Sequence, residues 1–330
     1  MKRYTVLSNS TEWCYYSWKP AVERGVARFF NEPVPVTGPD WMKKLAFYHF
    51  ILRAGKIRKA PFTSIWYRNI DRTLNLDNSE ENRLIFYDWN FLTKDFSFLK
   101  YLRRRHPGIK LIYLFSNIVS VTGAVTYNIL NELNDNFDAV FAFDMQDAEK
   151  YGFLFSPLIY TNDKPTLEAD CENDIFYIGN AKDRLPQLIE IYEKATADGL
   201  KCNFNIVGVP EEKQKHADKI HYNKPLKYAD IMEQMNRSKC FVDAIQGGST
   251  ALTIKNCEAV LYDRKLITTN PNVKKAPFYK PENIMVYPED TRTIRQFIDT
   301  PLVPYTREEK NYFSPEELFR KIEEHLEKKL

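Results

Sequence analysis

Short apolar runs that end in Gly, Asn or Asp alternate along this chain with longer segments of helical periodicity. That rhythm is the pattern of parallel βα units, and it restricts the fold more than any other feature. The first half reads as strands at 3–8, 83–88, 110–115 and 138–143, with helices near 18–31, 41–56, 94–106, 123–134 and 145–151. In the second half the strands are 174–178, 202–207, 220–222, 239–244, 265–269 and 283–287. Helices there span 184–199, 227–238, 250–262, 290–299 and 314–329. Ser314-Pro315-Glu316-Glu317 opens the last of these with an N-cap and a Pro at the first position.

A chain of 330 residues is long enough for two domains of this kind. The polar stretch from Thr161 to Asp174 breaks the rhythm and reads as the linker. The expected fold is α/β, two doubly wound Rossmann-like domains facing a cleft. A first domain is expected over 1–165 and a second over 166–305. The helix in 306–330 is expected to pack back on the first domain. Residues 1–115 hold 20 Lys/Arg against 10 Asp/Glu, so the front of the molecule favours an anionic partner.

The five Cys have no C-x-x-C spacing and read as reduced thiols. The start of the sequence has no secretory apolar core, and the longest apolar run, Leu45 to Leu52, is too short to span a bilayer. The expected location is cytoplasmic, with peripheral attachment to the inner face of the membrane as an option.

Two turns invite an anion. Gly179-Asn180-Ala181-Lys182-Asp183-Arg184 follows a strand and opens a helix, so Lys182 and Arg184 could neutralise a diphosphate. Gly is scarce here, with only 11 residues, yet Gln246-Gly247-Gly248-Ser249-Thr250 places two side by side between a strand and a helix. Ser249 or Thr250 reads as the N-cap, which would leave the amides of that helix start for a second anion contact. Solvated cations and a purely structural tight turn are the plain alternatives. Glu258, two turns further on, sits near a buried face. It could accept from two adjacent hydroxyls of a ribose, or simply pair with Lys255 or Arg264.

The order of Gln246–Thr250, Cys257-Glu258-Ala259 and Leu266-Ile267-Thr268-Thr269-Asn270 resembles the C-terminal domain of GT-B glycosyltransferases. Asn223–Tyr228 with the following helix and strand is similar to the family's nucleotide-base segment. The resemblance spans about residues 174–287 and is closest to transferases of bacterial capsule or lipopolysaccharide synthesis. It implies that 1–165 is the acceptor-binding domain and 166–305 the nucleotide-sugar-binding domain, that Glu258 holds the donor ribose, that Leu226 offers its backbone to the base, and that the 247–250 turn holds the diphosphate opposite Lys182 and Arg184. Many retaining members carry two Glu eight residues apart. Here Thr250 stands eight before Glu258, which leaves the stereochemical outcome open.

An inverting enzyme needs a base for the acceptor hydroxyl. Asp88, at the end of strand 83–88, ranks first, with Glu12 and Asp144 as rivals. Trp41 to Lys59 carries six Lys/Arg and no acid beside aromatic and aliphatic residues. It reads equally as a core helix with solvated ends or as a segment lying on an anionic membrane. No G-x-G-x-x-G follows a strand, which disfavours a nicotinamide dehydrogenase, and no nucleic-acid recognition motif accompanies the basic charge. No D-x-D follows a strand either, so no metal and no cofactor are expected.

The expected function is transfer of a sugar from a nucleotide-diphosphate donor, UDP first, to a glycan or lipid-linked hydroxyl. A nucleotide-sugar epimerase and a non-catalytic sugar-nucleotide-binding protein are the alternatives.

Overall fold

The computed structural model describes residues 2–8, 12–32, 34–51, 62–87, 91–93, 95–122, 129–161, 171–247 and 250–329. It divides into two compact units, one of residues 1–161 with 315–330 and one of residues 162–314. The first contains β1 (Lys2–Ser8), α1 (Glu12–Glu23), β2 (Ala27–Phe30), α2 (Asp40–Ile51), α3 (Ser64–Leu74) and β3 (Glu81–Tyr87). It continues through α4 (Ser97–Arg105), β4 (Lys110–Leu114), α5 (Leu130–Asn136), β5 (Ala139–Ala142), α6 (Met145–Tyr151) and β6 (Leu154–Phe155). The second contains β7 (Asn173–Asn180), α7 (Leu185–Ala197), β8 (Cys202–Val207), β9 (His221–Tyr222), α8 (Tyr228–Asn236) and β10 (Ser238–Asp243). There follow α9 (Ile254–Leu261), β11 (Lys265–Thr268), β12 (Ile284–Val286), α10 (Ile294–Asp299) and α11 (Arg307–Asn311). The last helix, α12 (Pro315–Glu327), belongs to the first unit.

Each unit holds a six-stranded sheet in which every pairing is parallel. The strand order is β2-β1-β3-β4-β5-β6 in the first and β12-β11-β10-β7-β8-β9 in the second. Both orders reverse direction inside the sheet, between β1 and β3 and between β7 and β10. These are the switch points where doubly wound sheets take ligands.

Side-chain alternation along the central strands divides the first unit into two cores. Leu84 and Phe86 of β3 and Leu111 and Tyr113 of β4 pack with α2, α3 and α4 on one face. Their neighbours Ile85, Tyr87, Ile112 and Leu114 face the other way, against Trp18 and Ala21 of α1 and Leu318, Phe319, Ile322 and Leu326 of α12. Period-two strands therefore need two helical layers, and the end of the chain supplies part of the second.

A polar clamp fixes α12 there. Glu323 accepts from Arg83 Nε at 2.8 Å, from Lys2 Nζ at 2.8 Å and from the Tyr4 hydroxyl at 3.0 Å. The Tyr4 ring stacks on Phe319, with centroids 3.8 Å apart. Burial alone would raise the Glu323 carboxyl, but the hydrogen bonds from Arg83, Lys2 and Tyr4 win and hold it at about 2.

The structure corrects several expectations. The segment read as a helix over 18–31 is α1 followed by β2. Gly25, at φ +71°, ends the helix, and Val26 N–H donates to the Ala21 carbonyl, which frees Ala27 to pair with Tyr4 of β1. Helix α9 begins at Ile254, not at 250. Helices α3 and α11 and strand β6 were not anticipated. Of the segment read as a helix over 123–134, residues 123–128 lie outside the described residues and α5 begins at Leu130.

The clamp gives a test. Glu323→Gln leaves the buried Arg83 with only the exposed carboxylate of Glu81 and is expected to cost about 3 kcal/mol, seen as a lowered urea midpoint at pH 7. Because the folded pKa lies below the ordinary 4.5, the clamp's contribution is present above that value. It is lost as pH falls toward 2, so the variant and the wild type should converge in stability over that window.

Candidate functional site

The carboxyl ends of β7 and β10 flank the switch point of the second sheet. A cavity of about 340 Å³ opens there, lined by Asp183, Arg184, Gln187, Ile245, Gln246, Gly247 and Thr269. The two turns singled out in the sequence thus meet at one place, within hydrogen-bond reach of each other. Lys182 Nζ donates to Gln246 Oε1 at 2.7 Å, and Gly247 N–H donates to Asp183 Oδ2 at 2.9 Å. That amide holds the Asp183 carboxyl below the usual carboxylate range.

Arg184 spans the two strand ends. Its guanidinium donates to the carbonyls of Ala244 at 2.9 Å, of Ala181 at 3.4 Å and of Asn180. Three of its five N–H groups are engaged, which leaves two beyond these contacts. Lys182 has a φ of +46°, a conformation costly for a residue with a Cβ and one that clusters at functional turns. Gly179 answers to packing. A Cβ there would stand 2.8 Å from the hydroxyl of Tyr177, a buried side chain whose phenol burial pushes up to about 12.

The start of α9 is the largest departure from expectation. Thr253 is its N-cap and accepts from Lys255 N–H at 3.1 Å, while its hydroxyl donates to Asp243 Oδ1 at 2.8 Å. Asp243 Oδ2 accepts from Asn256 at 2.9 Å and from Thr268 at 3.0 Å. A buried carboxylate at the end of β10 therefore sets where the helix begins, and its cap is Thr253 rather than a residue at the start of the 250–262 segment. Burial pushes the Asp243 carboxyl up, against the three donors. Asn270 is also buried and donates to the carbonyls of Thr250 and Ala251, fixing the chain that leads into α9.

Glu258, expected to reach a ribose, is 1% exposed and accepts from Lys255 Nζ at 2.7 Å. Residues 255–260 of α9 are all buried, and position 258 is among them. Burial raises its pKa, with Lys255 opposing the rise. Leu226 is half-buried in the loop before α8 and is not among the cavity's lining residues. Gly248 and Ser249 lie outside the described residues, as do Asp88 and the Arg53–Lys59 part of the basic segment. Asp144, a rival base, is the buried N-cap of α6 and accepts from Gln146 and Asp147 N–H. The side chain of Glu12 is outside the described residues.

Sequence reasoning gave no role to Asp243 or Asn256, and it named Thr268 and Asn270 only as part of the strand and loop that carry the resemblance. The only signal was polar residues at the carboxyl ends of apolar strands, which the sequence shows without showing that they converge. Among the described residues no group of three His, Cys, Asp or Glu is placed to hold a metal ion. No described helix is long and apolar enough to cross a membrane.

No protein-family model matches the chain, and no curated protein does. Solved structures do. A trehalose-6-phosphate synthase aligns over 98% of this chain and 97% of its own, at 11% identity and a TM-score of 0.52. A ligand-free structure of such a synthase aligns over 98% and 96%, at 12% identity and a TM-score of 0.50. The accessory secretory protein 1, 2 and 3 structure from Streptococcus pneumoniae aligns over 80% of this chain and 57% of that one, at 8% identity and a TM-score of 0.50. The architecture is the GT-B fold of glycosyltransferases, two α/β units each built on a parallel six-stranded sheet. At these identities the likeness is one of fold.

The buried pair is open to test. Glu258→Ala strands a buried ammonium and is expected to lower stability by about 3–5 kcal/mol, whereas Lys255→Met with Glu258→Leu should recover most of it. Denaturant melts of the two variants check this. Equal stability of Glu258→Ala and wild type would place the carboxylate in contact with solvent.

Proposed function

We propose that this protein is a glycosyltransferase that moves a sugar from a nucleoside diphosphate to a hydroxyl of a glycan or lipid-linked acceptor. The observation that carries the reading is the cavity at the β7/β10 switch point of a GT-B fold, lined by Arg184 and by Gln246, to which the neighbouring Lys182 donates. An anion at that point is favoured by two cations. The charge that grows on a departing diphosphate is the charge such groups stabilise. UDP is the first donor to test, and surface-polysaccharide synthesis at the inner face of a membrane is the setting proposed.

Within this reading the diphosphate lies against Lys182, Arg184, Gln246 and the amides of the 247–250 turn. Gly179 and Asn180 form the floor, and the loop at Leu226 receives the base. Binding displaces Asp183 from the Gly247 amide. Glu258, buried and paired with Lys255 on the same helix, is given no substrate contact in this reading. Asp88 is assigned the acceptor proton, and Asp88→Asn is expected to lower turnover while donor affinity stays the same.

The non-catalytic alternative has one observation in its favour. The protein's own acid, Asp183, occupies the amide that a phosphate would need. Turnover decides between the two.

A nucleoside diphosphate at about 100 times its Kd should stabilise the protein by about 2.7 kcal/mol in a thermal melt, and NAD should not. Lys182→Ala removes an exposed cation whose bond is to Gln246. It is expected to weaken UDP about tenfold, a loss of about 1.4 kcal/mol, without moving the melting temperature of the free protein. No shift with any nucleoside diphosphate would overturn the proposal. Transfer is also expected to persist in excess EDTA. Activity lost in EDTA and restored by magnesium would assign the leaving-group charge to a metal instead.

A further inference from the structure

Five of the large apolar side chains that the structure leaves exposed belong to one corner of the first unit: Trp41, Leu45 and Tyr48 of α2, and Phe62 and Ile65 at the start of α3. Phe62 is 79% exposed and Trp41 65%, values far from those of a core helix. Positions 41, 45 and 48 repeat at helical spacing, so they share one face of α2, with Lys44 between them. Along α3, residues 65, 68 and 72 do the same and add Arg68 and Arg72. Trp66 Nε1 donates to His49 Nδ1 at 2.9 Å and ties the end of α2 to the first turn of α3. Tyr48 and Ile65 are each next in sequence to one of these two residues and so flank that junction.

The charge on these faces has one sign. Lys43, Lys44, Arg68 and Arg72 are exposed, and among the described residues none of them forms an ion pair. Asp40, at the first turn of α2, is the one acid on the two helices that reaches solvent, since Asp71 is buried against His106. Aromatic and aliphatic side chains set among unpaired cations fit the interface of an anionic bilayer, where rings enter the headgroup layer and cations meet lipid phosphates. A protein partner for such a surface would have to be strongly acidic. A second copy would bring four cations against four cations, which disfavours self-association.

We infer that the outer face of α2 and the start of α3 bind the surface of an anionic membrane. The inference rests on the lipid-linked acceptor reading only for its purpose, and the surface itself stands on exposure and charge.

The test is co-sedimentation of the full chain with vesicles of phosphatidylcholine alone and of phosphatidylcholine mixed with phosphatidylglycerol. Binding is expected to the mixed vesicles at low salt, to fall as salt rises, and to be weak on the neutral ones. Replacing Lys43, Lys44, Arg68 and Arg72 by Gln should reduce the partition about fivefold per charge. Leu45→Ser with Ile65→Ser should reduce it at every salt concentration, and the fluorescence of Trp41 should shift to the blue on binding. Equal sedimentation with neutral vesicles, or variants that bind as the wild type does, would overturn the inference. So would a dimer that Leu45→Ser dissolves in a protein that ignores vesicles. Nucleotide-induced stabilisation of the same variants is read alongside. Its presence without vesicle binding sinks the membrane surface alone, and vesicle binding without it sinks the transfer reading alone.

Discussion

Every strand of both sheets pairs in parallel, and much of the molecule follows from that constraint. Parallel pairing forces each connection across a face of the sheet, so both faces must be covered by helices. In the first unit the connections between strands leave part of one face to be closed, and α12 closes it after the chain has built the whole second unit. Four buried side chains, Leu318, Phe319, Ile322 and Leu326, do the covering. At roughly 1.5–3 kcal/mol each, they contribute as much as the entire net stability of an ordinary domain. The Arg83–Glu323 contact adds direction to that burial. It fixes which turn of α12 meets which strand, because only one register places the carboxylate between Arg83, Lys2 and Tyr4.

The same constraint places the site. Parallel strands deliver their carboxyl ends to one edge, and the reversal of strand order between β7 and β10 parts the connections there. What holds this edge in the second unit is a buried anion rather than a turn. Asp243 collects Thr253, Asn256 and Thr268 from the start of α9 and from β11, and so fixes that helix and β11 relative to β10. The Lys255–Glu258 pair lies one turn further along the same helix. Buried ionic groups of this kind contribute little net stability compared with apolar replacements, but they penalise misplacement heavily. A helix start shifted by one residue would leave Asp243 short of donors.

Much of the fold was legible in the sequence because it rests on periodicity. Strands such as 202–207 announce themselves by apolar runs that end at Gly208, and α12 by its Pro and the spacing 318, 319, 322, 326. What failed depended on partners distant in sequence. The strand at 27–30 exists because β1 offers an open edge, and α3 has too many polar residues on its solvent side to stand out. The beginning of α9 could not be read from Gly247-Gly248-Ser249-Thr250. Local rules favour a cap there, and the residue that overrides them, Asp243, lies ten positions before Thr253 and acts through space. Glu258 went the same way. Its neighbours marked a border position, while the packing of residues 255–260 put it inside. The meeting of the 179–184 and 246–247 turns was the part of the site that sequence order, with the rule of carboxyl ends, did foretell.

Two N–H groups of Arg184 apart, the polar contacts named around the cavity are made with other groups of the protein, and that bears on what the proposed site would bind. Arg184 is held by three carbonyls, Lys182 by Gln246, and the Gly247 amide by Asp183. A neutral ligand that displaced these acceptors would exchange one ordinary hydrogen bond for another and gain nothing. An anion gains at each exchange with a neutral acceptor, since charge-assisted bonds are about twice as strong. Asp183 is the exception, being an anion itself, so a phosphate must outbid it or approach from the Lys182 and Arg184 side. A ligand with two linked phosphates has the advantage that one group can take the cations while the other competes for the amide. On the proposed reading, the arrangement would therefore discriminate by charge and by the distance between charges, before any contact with a base or a sugar is made.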